Sequence, residues 1–527
     1  MCEILEQKTS SAEKHKKYIE YYNSNEIYWG LGIENEIYLE FDKKKIFTKD
    51  FFLKNHKRER YSVNYFNSYK EKFISDAFDE SFNQLNTNDM VELPILINSH
   101  SFLYTDINNN SKKLYTKNCE PNPKFSGKTL DEEIMEFNKY FKDTINKSWL
   151  YDGDTFEFTT IKFYNSKLEN IINELNEIKN EFILNLQKFQ EEKNFFLDYG
   201  KIQFMQENYS FCVHLTNHNN IGIFNNGTLH YNITLPTQLN DNKMILNKEK
   251  FISDHKKVIK IIQYFEPLLI SIYNTPDYFS SLKNLKDNKM YSACSQRCAV
   301  SRYIGIGTYN TDLMLEGKIL TVSTKEYNNI ENWWYNKFHE GNNCNNIENW
   351  WSNKCHEGSA YNKLDDIGLD INFNKHYNHG IEIRFFDHIN DEKLIKESFE
   401  FIIYLIDFIL EYDYDLDNPL LNSIWNNLVY NVMINGKDYI LSLDEIKLFS
   451  EILNIDLKEL NIVNVYYEIF HFLKNKYNDI KKEGKKYYLV PNGKFSKLTL
   501  DKNEIMNINN TSYKKTIYQK IFSCYSC

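Results

Sequence analysis

Four short segments, far apart in the chain, place chemically capable side chains at every second residue. In WGLGIENEIYLEF (29–41), Glu34, Glu36, Tyr38 and Glu40 fall on one side of an extended strand. Ile33, Asn35, Ile37, Leu39 and Phe41 fall on the other. FEFTT (156–160) sets Glu157 and Thr159 against Phe156 and Phe158. LHYNITLP (229–236) sets His230, Asn232 and Thr234 against Leu229, Tyr231, Ile233 and Leu235. HGIEIRFFDH (379–388) sets Glu382 and Arg384 against Ile381, Ile383 and Phe385. One alternating strand is ordinary, since any antiparallel strand with a solvated face reads this way. The residue types are less ordinary, because Glu, His, Asn and Arg stand where Lys, Ser and Thr usually do. Gathered on one sheet, the carboxylates would repel each other unless a cation lay over them. Carboxylate oxygens suit Mg²⁺ or Mn²⁺, ions that also engage phosphates. The planar donor fork of an arginine suits phosphate as well.

Long helices separate these strand-like segments. Leu168, Ile172, Leu175, Phe182, Leu186 and Phe189 recur at helical spacing and predict an amphipathic helix. Lys179 is the one polar residue in that seam, with a stem long enough to lie along apolar neighbours. HKKVIKIIQYFEPLLISIY (255–273) predicts a second helix, bent at Pro267 and stopped before Pro276. From about residue 391 the chain turns helical again, with a capping-box pattern at Ser442 and Glu445. VPNGKF (490–495) reads as a hairpin turn. Strands mixed with long helices, without regular βαβ spacing, predict an α+β fold. The expected architecture is a curved antiparallel sheet with one polar face, packed by long helices, and a helical C-terminal part. Residues 1–395 are read as one domain and 396–527 as a mainly helical region.

In order along the chain, the segments resemble a known family. GIENE (32–36) resembles the first-strand G-x-E-x-E of the glutamate–cysteine ligase and carboxylate–amine ligase group, which shares its fold with glutamine synthetase. FEFTT is similar to that group's E-x-T strand, and LHYNIT to its H-x-H or H-x-N strand. YNTPDYFSSLKNLKDNKMYSACSQR (273–297) resembles the segment from N-S-P to S-x-R, with Thr275 in place of the usual Ser. GIEIRFFD is similar to the closing E-x-R strand.

The resemblance implies that residues 1–395 form a glutamine synthetase-like ligase domain. Such enzymes phosphorylate a carboxylate with ATP, and an amine then displaces phosphate from the acyl phosphate. Divalent ions neutralise the charge. Glu34, Glu36 and Glu157 would then hold Mg²⁺ or Mn²⁺, with Glu382 a further ligand and His230 beside the metal or the γ-phosphate. Arg297 and Arg384 would clamp the transferred phosphoryl group or the substrate carboxylate. Asn232 and Arg302 fall to nucleotide contacts, and Arg302, in SRY (301–303), also rivals Arg297. The expected partners are a small carboxylate and a small amine, with glutamate the family's default acid. Two other readings stay open: an inactive scaffold of the same fold, and a guanidino kinase-like phosphotransferase.

The scaffold reading draws on a direct repeat. NNIENWWYNKFHEGN (328–342) recurs as NNIENWWSNKCHEGS (345–359), a 17-residue period read as an inserted loop at about 325–360. Trp333, Trp334, Trp350 and Trp351 could anchor a partner there. His339, Cys344, Cys355 and His356 lack the spacing of a zinc site. FSGKTLDEE (125–133) contains GKT, but Asn122 stands where a phosphate-binding loop needs its first glycine. Thr129 and Glu132 fit a helix start instead. CYSC (524–527) lacks the aliphatic pair of a prenylation signal.

A net charge of −10 argues against nucleic acid as a partner. Nine cysteines without framework spacing fit a reducing compartment. The opening MCEILEQKTSSAEKHKK has no apolar stretch, and FEFIIYLIDFIL (399–410) is too short to span a bilayer. A cytoplasmic protein without a membrane partner is therefore expected.

Overall fold

The computed structural model describes residues 27–48, 90–97, 128, 130–152, 155–161, 168–206, 227–238, 247–274, 277–283, 290–295, 371–373 and 381–413, and 424–478 except 426, 430, 433 and 434. Arg297, Arg302, Thr275, the repeat, the 490–495 turn and the C-terminal CYSC lie outside the described residues. In chain order the elements are β1 (Ile27–Ile37), β2 (Leu39–Thr48), β3 (Met90–Ile97), α1 (Leu130–Phe137) and α2 (Lys139–Thr144). There follow β4 (Trp149–Asp152), β5 (Thr155–Thr159), α3 (Leu168–Lys193), β6 (Ile202–Phe204), β7 (Thr228–Gln238) and α4 (Lys248–Tyr273). The chain continues through β8 (Asp277–Lys283), β9 (Met290–Ala293), β10 (Ile371–Phe373) and β11 (Ile381–Asp387). Helices α5 (Glu392–Glu411), α6 (Leu443–Leu453) and α7 (Ile462–Asn478) complete it.

Six strands pair antiparallel in the order β10-β11-β7-β1-β5-β4, the α+β arrangement expected from the sequence. All four segments with polar alternation are in this sheet. The polar face of the first segment stops earlier than its alternation suggests. The chain leaves the large sheet after Ile37, and β2 pairs instead with β3 and β6. Glu40 therefore belongs to the smaller sheet, where its Oε1 accepts from Gln203 Nε2 at 2.8 Å. A second local departure occurs in β11, where the register slips between Ile383 and Phe386. The bulge lets Phe385 and Phe386 both be buried where strict alternation would turn one of them to the polar face.

The other face of the sheet is the hydrophobic core. Leu31, Ile33, Ile37, Phe156, Phe158, Leu229, Tyr231, Ile233, Ile381 and Ile383 are buried there. Helix α3 covers β1 and β5 with the predicted seam, and Phe182 meets both Phe156 and Phe158 edge-on or tilted. Helix α5 lies behind β7: Tyr231 stacks on Phe399 at 4.2 Å, and its hydroxyl reaches Ser398 Oγ (2.6 Å) and Ile395 O (3.1 Å). Helix α5 starts at an Asp391 cap and spans residues 395 and 396, where the sequence reading drew its boundary. Helix α6 has the expected capping box, with Ser442 Oγ accepting from Glu445 N and Glu445 accepting from Ser442 N.

Helix α4 runs through Pro267. A proline has no N–H, so the carbonyl four residues earlier loses its helical partner. That carbonyl belongs to Gln263, and the indole N–H of the buried Trp425 donates to it instead. Among the described residues, no helix is long and apolar enough to cross a membrane.

Candidate functional site

Register alone brings the four segments together. Glu34 on β1 sits opposite His230 on β7 and Thr159 on β5. Glu36 sits opposite Thr228 and Glu157. Gly32 faces Asn232, which faces Glu382 on β11. Residues at every second position share a face, so the side chains of Glu34, Glu36, Glu157, Thr228, His230, Asn232, Glu382 and Arg384 rise from one side. Glu34, Glu36, His230, Asn232 and Glu382 are all buried, and charged side chains so enclosed need partners. Arg384 and Glu157 are partly exposed.

At the centre, His230 Nδ1 lies 3.4 Å from Glu34 Oε2 and 3.3 Å from Glu382 Oε1. One donor atom from each of Glu34, His230 and Glu382 lies within 4.8 Å of the others. The two histidine–carboxylate separations suit a shared cation. Ligands about 2.1 Å from a shared ion, at octahedral or tetrahedral angles, are separated by about 3.0–3.4 Å. Two carboxylates and an imidazole also form a donor set of the right chemistry for Mn²⁺ or Mg²⁺. The other imidazole nitrogen, Nε2, lies 3.0 Å from Thr228 Oγ1 and 3.8 Å from Glu36 Oε1. Thr228 Oγ1 donates to Glu36 Oε2 at 2.7 Å. Arg384 Nη1 lies 3.4 and 3.5 Å from the two oxygens of Glu382. Thr159 Oγ1 donates to Glu157 Oε1 at 3.2 Å.

Asn232 contributes a different kind of signal. Its Nδ2 is buried and has no hydrogen-bond partner among the described residues. A buried amide donor left unpaired costs about 1–3 kcal/mol, so the position suits a donor to a bound ligand. Gly30 and Gly32 face Thr234 and Asn232 on the same side, leaving only backbone beside that amide.

A second polar group lies on the core side of β1, between the two acidic residues. Asn35 Oδ1 accepts from Lys179 Nζ (2.9 Å), and Asn35 Nδ2 donates to Thr228 O (3.2 Å) and lies 3.2 Å from His388 Nδ1. Burial lowers Lys179 to about 8. Burial first, and then the Lys179 charge, hold His388 well below its ordinary value. Gly227 closes this corner in a left-handed conformation (φ +88°). A Cβ there would come within 2.7 Å of Glu36 O.

Of the residues singled out from sequence, Glu34, Glu36, Glu157, His230, Asn232, Glu382 and Arg384 share one face; Arg297 and Arg302 lie outside the described residues. Sequence reasoning passed over Thr228, although it precedes His230 by one alternation and so had the same period-two signal. For Lys179 the sequence predicts only a stem lying along apolar neighbours. The ammonium itself lies 4.8 Å over the Phe204 ring, and it also donates to Asn35 Oδ1.

Fold and site define an α+β protein whose antiparallel sheet carries a buried Glu–His–Glu cluster. The chain belongs to the same family as the uncharacterized protein R704 of Acanthamoeba polyphaga mimivirus. The two are 36% identical over 427 residues, which is 81% of this chain and 70% of R704. No protein-family model matches the chain. Among solved structures, a bifunctional glutathione synthetase from Pasteurella multocida matches with a TM-score of 0.37 and 10% identity. That match covers 93% of this chain and 53% of the synthetase, so this chain spans about half the length of that protein. A likeness this low adds nothing to the argument from the site.

Proposed function

We propose that this protein is an ATP-dependent carboxylate–amine ligase that uses Mg²⁺ or Mn²⁺. The observation that carries this reading is the convergence of Glu34, His230 and Glu382, from three neighbouring strands, with one donor atom of each within 4.8 Å of the others and both carboxylates within 3.4 Å of His230 Nδ1. When bound, the ion would neutralise phosphate charge during activation of the acid. Glu34 and Glu382 would hold it from the flanking strands β1 and β11, with His230 between them on β7. Glu157 offers a further carboxylate toward the same face. Arg384, beside Glu382, would orient a phosphoryl or carboxylate group through its planar fork. Asn232 Nδ2 would donate to a ligand oxygen lying over the bare backbone of Gly30 and Gly32. Burial keeps water from these groups and strengthens each electrostatic contact.

The test is divalent-cation-dependent ADP release with pooled amino acids and small amines. A ligase releases ADP and inorganic phosphate only when both an acid and an amine are present. A guanidino kinase-like enzyme would leave the phosphoryl group on its acceptor. Replacing Arg384 with Lys keeps the charge and loses the fork, so turnover is expected to fall about tenfold or more while nucleotide affinity changes less. Failure of the unmodified protein to bind ATP, with Mg²⁺ or with Mn²⁺, would defeat the ligase reading.

A further inference from the structure

We infer that Thr228 is a positioning residue that passes the charge of Glu36 to His230 and thereby fixes Nδ1 as the metal-binding nitrogen. The inference rests on the metal-dependent reading of the site. Its starting point is the single hydrogen on the Thr228 hydroxyl. Glu36 Oε2, 2.7 Å away, is an acceptor only, so that hydrogen is directed to the carboxylate. Toward His230 Nε2, at 3.0 Å, Thr228 Oγ1 can then only accept. The Nε2 of His230 must therefore carry a proton. In a neutral imidazole this leaves a lone pair on Nδ1.

That lone pair faces Glu34 Oε2 at 3.4 Å and Glu382 Oε1 at 3.3 Å. Three acceptor atoms gathered at one point form a donor set that a divalent cation can bind. The relay Glu36–Thr228–His230 thus does for this site what a carboxylate partner does for many metal-bound histidines: it selects the tautomer and holds the ring. Its members sit on β1 and β7 in direct register, Glu36 opposite Thr228, and Thr228 is itself buried. Glu36 approaches the ring no closer than 3.8 Å, so it acts on His230 through the hydroxyl. Glu36 then lies behind the histidine, and Glu34, His230 and Glu382 form the ligand set.

The experiment uses the full chain, stripped of metal and titrated with Mn²⁺ alone. Free Mn²⁺ is followed by electron paramagnetic resonance, and pulsed measurements read the coupling to a coordinated imidazole nitrogen. Thr228→Val keeps the shape and removes the hydroxyl. It is expected to weaken Mn²⁺ binding about 10–100-fold and alter the nitrogen coupling. Thr228→Ser restores the hydroxyl and is expected to restore both. Glu36→Gln retains an acceptor for Thr228 and is expected to weaken binding less than Glu382→Gln, which removes a ligand charge. Should Thr228→Val bind Mn²⁺ like the unmodified protein while Glu382→Gln does not, the relay is wrong and the metal site stands. Equal losses in Glu36→Gln and Glu382→Gln would make Glu36 a ligand and also overturn the relay. If the unmodified protein binds no Mn²⁺, both the relay and the metal-dependent reading fall.

Discussion

The two faces of β1 carry polar residues in adjacent positions, yet they use them in opposite ways. On the core side, Asn35 has its oxygen taken by Lys179 and its amide directed to Thr228 O and His388. Donors and acceptors there match one another. On the other side, Glu34, His230 and Glu382 direct acceptor atoms at a common point. The first arrangement joins strand β1 to helix α3 and to the segment after β11. The second is the arrangement that, in the function proposed above, a cation completes. Polarity and burial alone do not tell the two apart, since Asn35, Glu34 and His230 are all buried. The direction in which the donors and acceptors point does.

The sharpest test of this contrast exchanges neighbours in one strand. Asn35→Ala should cost about 3 kcal/mol in urea unfolding, because it leaves the Lys179 ammonium, the His388 ring and Thr228 O without their partner. Glu34→Gln should leave the metal-free fold as stable or slightly more so, since it removes one of several clustered negative charges, while Mn²⁺ affinity falls. Equal destabilisation by both changes would erase the distinction between the faces.

The helical layer behind the sheet extends the same comparison to pH. Glu400, buried on α5, has its carboxyl raised from 4.5 to about 7 by burial, with Lys474 and Lys396 opposing the shift. Between those two values the folded protein holds more protons at this group than the unfolded chain does. This contribution to stability is therefore greatest below about pH 4.5 and is lost as pH rises through 7. Glu400→Gln should remove that slope and raise stability at pH 8 by about 2 kcal/mol, read from unfolding curves at several pH values. A slope unchanged in the variant would show that another group produces it. The smallest effect is expected from Ser442→Ala, which removes one half of the α6 capping box and should cost about 1 kcal/mol with Mn²⁺ affinity unaltered. A change in metal binding there would couple the helical layer to the front of the sheet.

Much of the sheet was legible because strand side chains alternate, and alternation survives in a single sequence. Alternation puts Glu34, His230 and Glu382 each on the polar face of its own strand, and they form one surface only if those strands share a sheet. The amphipathic seam of α3 and the α6 cap were legible for the same reason, since each is written within a few turns of chain. Features that depend on pairing were not. Nothing local marks the departure of the chain from the sheet after Ile37, so Glu40 kept its place in the alternation. The bulge in β11 likewise turns Phe386 inward without a Gly or Pro to announce it. Thr228 was passed over because threonine is common on any strand face. Its importance comes from Glu36, 192 residues away in sequence. The role of Lys179 needed Asn35, 144 residues distant.

The indole of Trp425 bound to the carbonyl that Pro267 leaves open has a consequence for the order of assembly. Gln263 and Trp425 are 162 residues apart. While the chain is being made, α4 can form its two halves, but the peptide group at its middle waits for a donor that has not yet emerged from the ribosome. Until then that carbonyl must keep a water molecule, and the layer of helices cannot close over it without a cost of about 1–3 kcal/mol. The sheet strands on either side of the proposed cation site are all synthesised before Trp425. Birth of the front of the molecule thus precedes the sealing of its back, and the late tryptophan acts as the stitch that lets an early helix become part of a finished core.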